Sequence, residues 1–279
     1  MEWHMDNHMI TSRQNPLVRA VCALTDKKKR AESGEFRFDG VKLLGEALDA
    51  RIQIRYVFVR EDACERYASL VERAENAGAR VVTVSSDVFS KLTEEKSPEG
   101  VLTVADMPDR LHTRSTADGI RASLENKSRI LIVESLRDPG NLGTVMRSCY
   151  ALGIDALVMT ADCADIYNPK TVRAAMGAIF RLPTLCVEGA ELSDCISALR
   201  AGGRRVFATA LSDDSREIGS LKLCRGDCFV IGNEGHGLSE GVISACTAPV
   251  IIPMREGAES LNASAAAAIC IWETVRASE

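Results

Sequence analysis

Five polar side chains, Asn141, Arg147, Glu234, Ser260 and Asn262, stand in three short segments rich in glycine, proline and alanine. In the first segment Pro139 and Gly140 force a turn, and Gly143 lets backbone approach closely. Arg147 follows Gly143 by four residues, one helical turn on, so both face one way. Asn141 either caps that helix or orients a substrate group, and Arg147 is either a surface charge or an anion contact. In the second segment Gly232, Gly235 and Gly237 surround Glu234, which implies a loop wrapped closely around something. No GxGxxG precedes a helix there and no Gly-Lys-Ser/Thr occurs, so it is not a phosphate loop. A carboxylate at Glu234 would repel a pyrophosphate, and a neutral or cationic ligand suits it better. The third segment runs from Ile252-Pro253-Met254 to Ser260-Leu261-Asn262-Ala263-Ser264. Ser260 or Asn262 can cap the alanine-rich helix beyond, whose small side chains suit close backbone packing.

Each segment follows an apolar run that reads as a strand, where open parallel sheets place their ligands. From residue 129 onward, strands are expected at 130–133, 156–159, near 185, 205–208, 228–231 and 250–252. Helices are expected at 140–152, 169–178, 192–201 and 262–276. The uniformly apolar Ile130-Leu131-Ile132-Val133 suits a strand buried on both faces. This alternation predicts a parallel α/β sheet covered on both sides. Earlier, a helix starting near Ser12 with Pro16 in its first turn, strands at 36–40, 54–59, 80–84 and 101–104, and helices at 41–50, 64–77 and 88–92 predict a smaller α/β domain. The resulting plan is an unstructured 1–11, a first domain over 12–107, a polar linker with one helical turn or two over 108–127 and a second domain over 128–279.

The chain of 279 residues is 46% hydrophobic, enough to bury such cores, and no apolar stretch is long enough to span a membrane. Its first residues lack the basic and apolar regions of a secretion signal, so a cytoplasmic location is expected. The ten irregularly spaced cysteines then read as reduced thiols. Cys224-x₃-Cys228 with Cys246 lacks the fourth ligand and tight spacing of a zinc site, and His4 and His8 lie near the terminus; no metal is expected. Net charge is −5, yet residues 12–60 hold eleven Lys/Arg against six Asp/Glu. That basic stretch either contacts nucleic-acid phosphates, through Arg13, Lys27, Lys28, Lys29 and Arg30, or is a solvated helix face.

Taken in order, the segments resemble the three motifs of the SpoU (TrmH-like) branch of the SPOUT methyltransferases. Asp138-Pro139-x-Asn141-x-Gly143-x₃-Arg147 is similar to the first, Gly232-x-Glu234-x₂-Gly237-Leu238-Ser239 to the second, and Ile252-Pro253-Met254 with Ser260-Leu261-Asn262-x-Ser264 to the third. Pro169 to Ala178 resembles a further family segment, and Arg173 within it is expected to contact RNA. Gln14-Asn15-Pro16, Phe38-Asp39-Gly40 and Ser97-Pro98-Glu99-Gly100 resemble the family's N-terminal substrate-binding domain of ribosomal-protein-like type, although Asp39 and Glu99 stand where Glu and Gln are common. The resemblance implies a trefoil-knotted C-terminal domain, a homodimer whose active site is completed across the interface, and S-adenosylmethionine as methyl donor. It places the adenosyl group against Thr209, Ala210, Gly232, Ile252, Pro253, Met254 and Leu261. It makes Asn141, Arg147, Glu234, Ser260 and Asn262 catalytic, and an RNA ribose 2′-hydroxyl the acceptor.

Arg147 is proposed as the general base in this family. A guanidinium with a pKa above about 12 rarely yields its proton, so phosphate binding and stabilisation of a developing alkoxide suit it better. Asn141 and Ser260 would then orient Arg147, Asn262 would support the site, and Glu234 would fix its loop and Arg147. A nicotinamide enzyme is excluded by the missing glycine fingerprint. A small-molecule methyltransferase would leave the basic first domain without a purpose. A non-catalytic RNA-binding protein of the same fold is the remaining rival. Ribosomal RNA of 23S type is the expected substrate, with tRNA as the alternative, because the N-terminal domain exceeds the short extensions common in tRNA enzymes.

Overall fold

Apolar runs of period two and amphipathic runs of helical period alternate through the chain, and the computed structural model resolves them into two units. It describes residues 9–108, 111–212, 214–258 and 260–277. The first unit holds the described residues up to Pro108 together with Tyr167–Arg173, and the second holds the rest.

The first unit contains α1 (Pro16–Ala23), α2 (Lys27–Ser33), β1 (Glu35–Asp39), α3 (Val41–Asp49), β2 (Ile54–Arg60), α4 (Ala68–Asn76), β3 (Arg80–Val84), α5 (Ser86–Leu92) and β4 (Val101–Asp106). Its four strands lie in the order β1-β4-β2-β3, with only β2 and β3 parallel. Val18 and Val21 of α1 pack with Val88, Phe89 and Leu92 of α5 over Phe58, Val82 and Val104 of the sheet. The first helix begins at Pro16 and not near Ser12, because the Asn15 side chain caps it by accepting the Leu17 amide at 2.9 Å. The helix expected over 64–77 is shorter, a 3₁₀ turn at Glu61–Ala63 preceding α4.

Two expectations for this unit are corrected. Residues 1–8, with His4 and His8, lie outside the described residues, but Ile10 is not unstructured: it bridges Val84 in parallel, and its amide donates to the Thr83 carbonyl at 3.0 Å. Lys27 to Arg30 do not simply flank α1. They open α2, whose cap Asp26 accepts the Lys28 and Lys29 amides at 2.8 and 3.1 Å. One turn into that helix Arg30 points inward, 2% exposed, and donates to the carbonyls of Leu24 and Thr25 at 2.7 and 2.8 Å. It therefore closes the C-terminus of α1 and is not placed to meet an RNA phosphate. Lys27, Lys28 and Lys29 are exposed, Lys29 pairing with Glu32 at 2.7 Å.

The rest of the chain runs β5 (His112–Arg114), α6 (Ala117–Leu124), β6 (Ile130–Val133), α7 (Pro139–Ala151), β7 (Ala156–Thr160), α8 (Pro169–Ala175), β8 (Thr184–Val187), α9 (Leu192–Ala201), β9 (Val206–Thr209), β10 (Arg216–Glu217), β11 (Cys228–Ile231), α10 (Glu240–Ala245), β12 (Ala248–Ile251) and α11 (Ala263–Arg276), all in the second unit except α8, which belongs to the first unit as far as Arg173. All pairings in its eight-stranded sheet, β10-β12-β9-β11-β6-β7-β8-β5, are parallel. β6 and β11 are buried along their whole length, as expected for central strands with helices on both faces. α6, α9 and α10 pack together, and α7 and α11 pack against each other. Asp109 and Arg110 lie outside the described residues; the helical turn or two expected within 108–127 is α6, and the segment also supplies β5, which pairs with β8. Thr116 caps α6 through the Gly119 amide at 3.3 Å, and Ile120 and Leu124 enter the core, so apolar side chains at helical spacing outweigh the polar composition. None of the ten cysteines is bridged, and burial pushes Cys228 and Cys246 up to about 12. Among the described residues no helix is long and apolar enough to cross a membrane.

Replacing Arg30 by Ala removes two hydrogen bonds from a charged donor, and denaturant unfolding should show a loss of about 2–3 kcal/mol. The neighbouring Lys28→Ala should change stability by less than about 0.5 kcal/mol. Burial also pushes the His112 imidazole of β5 down to about 4, outweighing a hydrogen bond with the Ile179 backbone that raises it. A lowered folded value favours neutral imidazole, so its stabilisation is complete above about pH 6.5 and is lost as pH falls toward 4. Urea titrations at pH 7 and 4.5 should show a steeper acid loss in the wild type than in His112→Leu, on the order of 3 kcal/mol when complete.

Candidate functional site

Four neighbouring strands, β12, β9, β11 and β6, end on one edge of the sheet, and all three glycine- and proline-rich segments leave from those ends. β6 continues into α7, whose cap Asp138 accepts the Asn141 amide at 2.7 Å. Asn141 is therefore not the cap, and its side chain is available for the site. β11 continues into a loop in which Asn233 and Gly237 exchange two backbone hydrogen bonds of 3.0 Å. Gly232 lies so tightly against this turn that a Cβ there would come within 2.5 Å of the Gly237 carbonyl carbon. Gly237 has φ of +68°, in the left-handed region that glycine tolerates. The segment after β12 reaches Asn262, which caps α11 by accepting the Ser264 and Ala265 amides at 2.9 and 3.3 Å.

The Asn141 amide joins these segments. Its Nδ2 donates to Glu234 Oε1 at 3.1 Å, and its Oδ1 accepts from Asn262 Nδ2 at 2.9 Å. Asn262 is thus a helix cap and a site residue at once, its oxygen serving the helix and its amino group the site. Glu234 is held by Asn141 and not by Arg147, so the expected Glu234–Arg147 pair is not formed. Arg147 stands exposed on α7 and has no hydrogen-bond or ion-pair partner among the described residues.

Beside this chain of amides opens a cavity of about 450 Å³, within the range of small-molecule sites. Thr209, Ala210, Gly232, Ile252, Met254 and Leu261 line it, as do Glu234 and Ser260. Of the residues expected around an adenosyl group only Pro253 is missing from its wall, while Asn141, Asn262 and Arg147 lie outside the lining. Leu211, 83% exposed, and Ala263 and Ala266 at the start of α11 also line it. Leu211 carried no signal in the sequence, since an isolated leucine after a strand reads as core. Among the described residues Glu234 is the only charged side chain in the wall. A wall of backbone and aliphatic groups with the Glu234 carboxylate suits a flat, partly apolar ligand bearing positive charge and disfavours a polyphosphate. Arg13 and Arg173, expected at RNA, belong to the first unit, where they pair with Asp87 at 3.7 Å and Glu95 at 3.0 Å.

Residues 128–272, more than half the chain, match the model of the SpoU rRNA methylase family. The chain belongs to the SpoU rRNA methylase family. Its residues 15–103 also match the MRM3-like substrate-binding domain. The 23S rRNA (guanosine(2553)-2′-O)-methyltransferase RlmP of Bacillus subtilis is 30% identical over 263 residues, covering 94% of this chain and 97% of the relative. The 23S rRNA (uridine(2479)-2′-O)-methyltransferase of Streptomyces viridochromogenes is 28% identical, covering 96% and 91%. The AdoMet-bound rRNA methyltransferase of Sinorhizobium meliloti superposes with a TM-score of 0.82 at 28% identity, covering 96% and 97%.

The Gly232–Gly237 contact leaves no room for a side chain, so Gly232→Ala must displace backbone, at a cost of about 1–3 kcal/mol. Hydrogen exchange should show it locally: the Gly237 amide, bonded to Asn233, should exchange at least tenfold faster in the variant, while amides of β2 and β4 are unchanged.

Proposed function

We propose that this chain transfers the methyl group of S-adenosylmethionine to a ribose 2′-hydroxyl of 23S-type ribosomal RNA. The observation that carries the reading is the cavity at the ends of β9, β11 and β12, with Glu234 in its wall beside the Asn141–Asn262 amide chain. The residues present fit the cofactor. Thr209, Ala210, Gly232, Ile252, Met254 and Leu261 offer backbone and aliphatic surface to an adenosyl group, and Glu234 complements a sulfonium. S-adenosylmethionine supplies an electrophilic methyl group, and the work of the chain is to align the hydroxyl with it. The substrate-binding domain and relatives of the same full length favour ribosomal RNA over tRNA.

Asn141 and Asn262 are already bonded to each other and to Glu234, so they hold a fixed polar rim beside the cavity at no cost of reorganisation. Ser260 adds a hydroxyl at the wall. Arg147, always protonated, binds the phosphate of the reacting nucleotide and stabilises negative charge growing on the hydroxyl oxygen. It does not line the cavity of its own chain, which supports a homodimer in which two copies complete each site. Tyr150 on α7, one turn from Arg147, and Ile269 and Trp272 on α11 leave apolar surface in solvent, Trp272 at 54% exposure. α7 and α11 are packed neighbours, so one apolar face can serve a second copy. The return of α11 against β11 and α7 is in keeping with a knotted C-terminal domain. A cytoplasmic location goes with a ribosomal RNA substrate.

Single-turnover methylation separates chemistry from binding. Arg147→Ala should lower the rate about 10²–10³-fold with RNA affinity retained; a near-normal rate would overturn the role given to Arg147. Mapping 2′-O-methyl marks in RNA from cells with and without the gene should show the lost mark in 23S-type ribosomal RNA. A mark lost from tRNA would overturn the substrate.

A further inference from the structure

We propose that Glu134 is a positioning residue for the methyl-donor site, acting through the glycine-rich loop and never touching the ligand; this rests on the cofactor reading above. Glu134 is the first residue after β6 and is 8% exposed. It takes no part in the cavity wall. Its Oε2 accepts the Ser239 amide at 2.9 Å and its Oε1 the Ser239 hydroxyl at 2.7 Å. Both oxygens of a buried carboxylate are thus committed to one residue, the one at which the loop after β11 ends. A buried carboxylate is costly unless hydrogen-bonded, and an apolar side chain would fill the end of a core strand with no such demand. Glu134 therefore does something that packing alone does not need.

The next residue holds the other end of the same loop. Ser135 has φ of +54°, a strained conformation for a residue with a Cβ. Its amide donates to Thr160 Oγ1 at 2.8 Å and its hydroxyl to Asp162 Oδ2 at 2.6 Å. So turned, its carbonyl accepts Asn233 Nδ2 at 2.7 Å, and Asn233 Oδ1 accepts the amides of Gly235 and His236 at 2.8 and 3.2 Å. Two consecutive residues of β6's exit therefore fasten the loop at Asn233 and at Ser239. Between those ties lie Glu234, Gly235 and Gly237, which with Gly232 and Asn233 form one wall of the cavity. Three glycines make the loop pliable, so outside ties must set where that wall stands. Asn141, bonded to Glu234 from the same β6–α7 segment, makes the third.

The test is isothermal titration calorimetry with S-adenosylmethionine, beside thermal unfolding and steady-state kinetics on ribosomal RNA. In Glu134→Met, of similar length, neither Ser239 donor meets an acceptor, whereas Gln would keep both ties because the Ser239 hydroxyl can turn and accept its NH₂. The Kd of Glu134→Met for S-adenosylmethionine should rise tenfold or more, while KM for RNA changes less than twofold. Ser239→Ala, which keeps the amide tie, should lose about threefold, and Ser239→Thr, which keeps both donors, should bind as wild type. Combining Glu134→Met with Ser239→Ala should weaken binding by less than the product of the single effects. An unchanged Kd in folded Glu134→Met overturns the inference, as does a lowered unfolding temperature with no change in Kd. Should Glu134→Met fail to fold, Ser239→Ala against Ser239→Thr decides: equal Kd values overturn it. A wild type that binds no S-adenosylmethionine overturns the donor reading itself, whereas a wild type that binds with all variants equal overturns only the part given to Glu134.

Discussion

A glycine-rich loop has few internal reasons to adopt one shape, and the site depends on giving this one a shape from outside. Gly232 must lie against the backbone of Gly237 with no Cβ between them, which closes the turn. The exit of β6 then fastens it through Glu134, Ser135 and Asn141. Neither device would suffice alone. Without the close approach the cavity would lose its floor, and without the ties a loop with three glycines would sample many positions. The same three-point attachment aligns Glu234 with Asn141 and Asn262, so the polar rim is ordered before any ligand arrives.

The parallel sheet makes this possible. β12, β9, β11 and β6 are adjacent although their order along the chain is β6, β9, β11, β12, so segments far apart in sequence emerge side by side. Open α/β sheets gather ligand-binding loops at such edges because every crossover returns the chain to the same end. In a SpoU-family chain the consequence is a cavity of backbone and aliphatic groups with the Glu234 carboxylate in its wall. Arg147, one helical turn beyond the motif glycine, remains outside that cavity, and the chain alone does not bring the cation to the carboxylate. Among the described residues the two charges are not paired.

Much of this was legible in the residues themselves. The strand at Ile130–Val133 and the helix at Leu192–Ala201 coincide with their apolar patterns, because burial on both faces of a sheet leaves an unbroken hydrophobic run. Six of the seven residues that the family resemblance implied around the cofactor line the cavity. Other features were not legible. Arg30 stood in a basic run and read as an RNA contact or a solvated face, yet it closes a neighbouring helix, a role set by carbonyl groups that any residue type could have carried. Residues 108–127 read as a polar linker with a helical turn or two, and the burial of Ile120 and Leu124 of that helix in the core was not legible.

The sequence by itself determined the order of elements, the family motifs and the chemical types at the site, because periodicity, glycine placement and charge are properties of neighbours along the chain. Only the tertiary structure decided which partner each polar group has. Asn141 meets Glu234 and Asn262 across 93 and 121 residues, and Glu134 meets Ser239 across 105. Whether a polar group is a cap, a clamp or a catalyst depends on what stands within about 3 Å of it and whether water can reach it. Both are set by long-range packing.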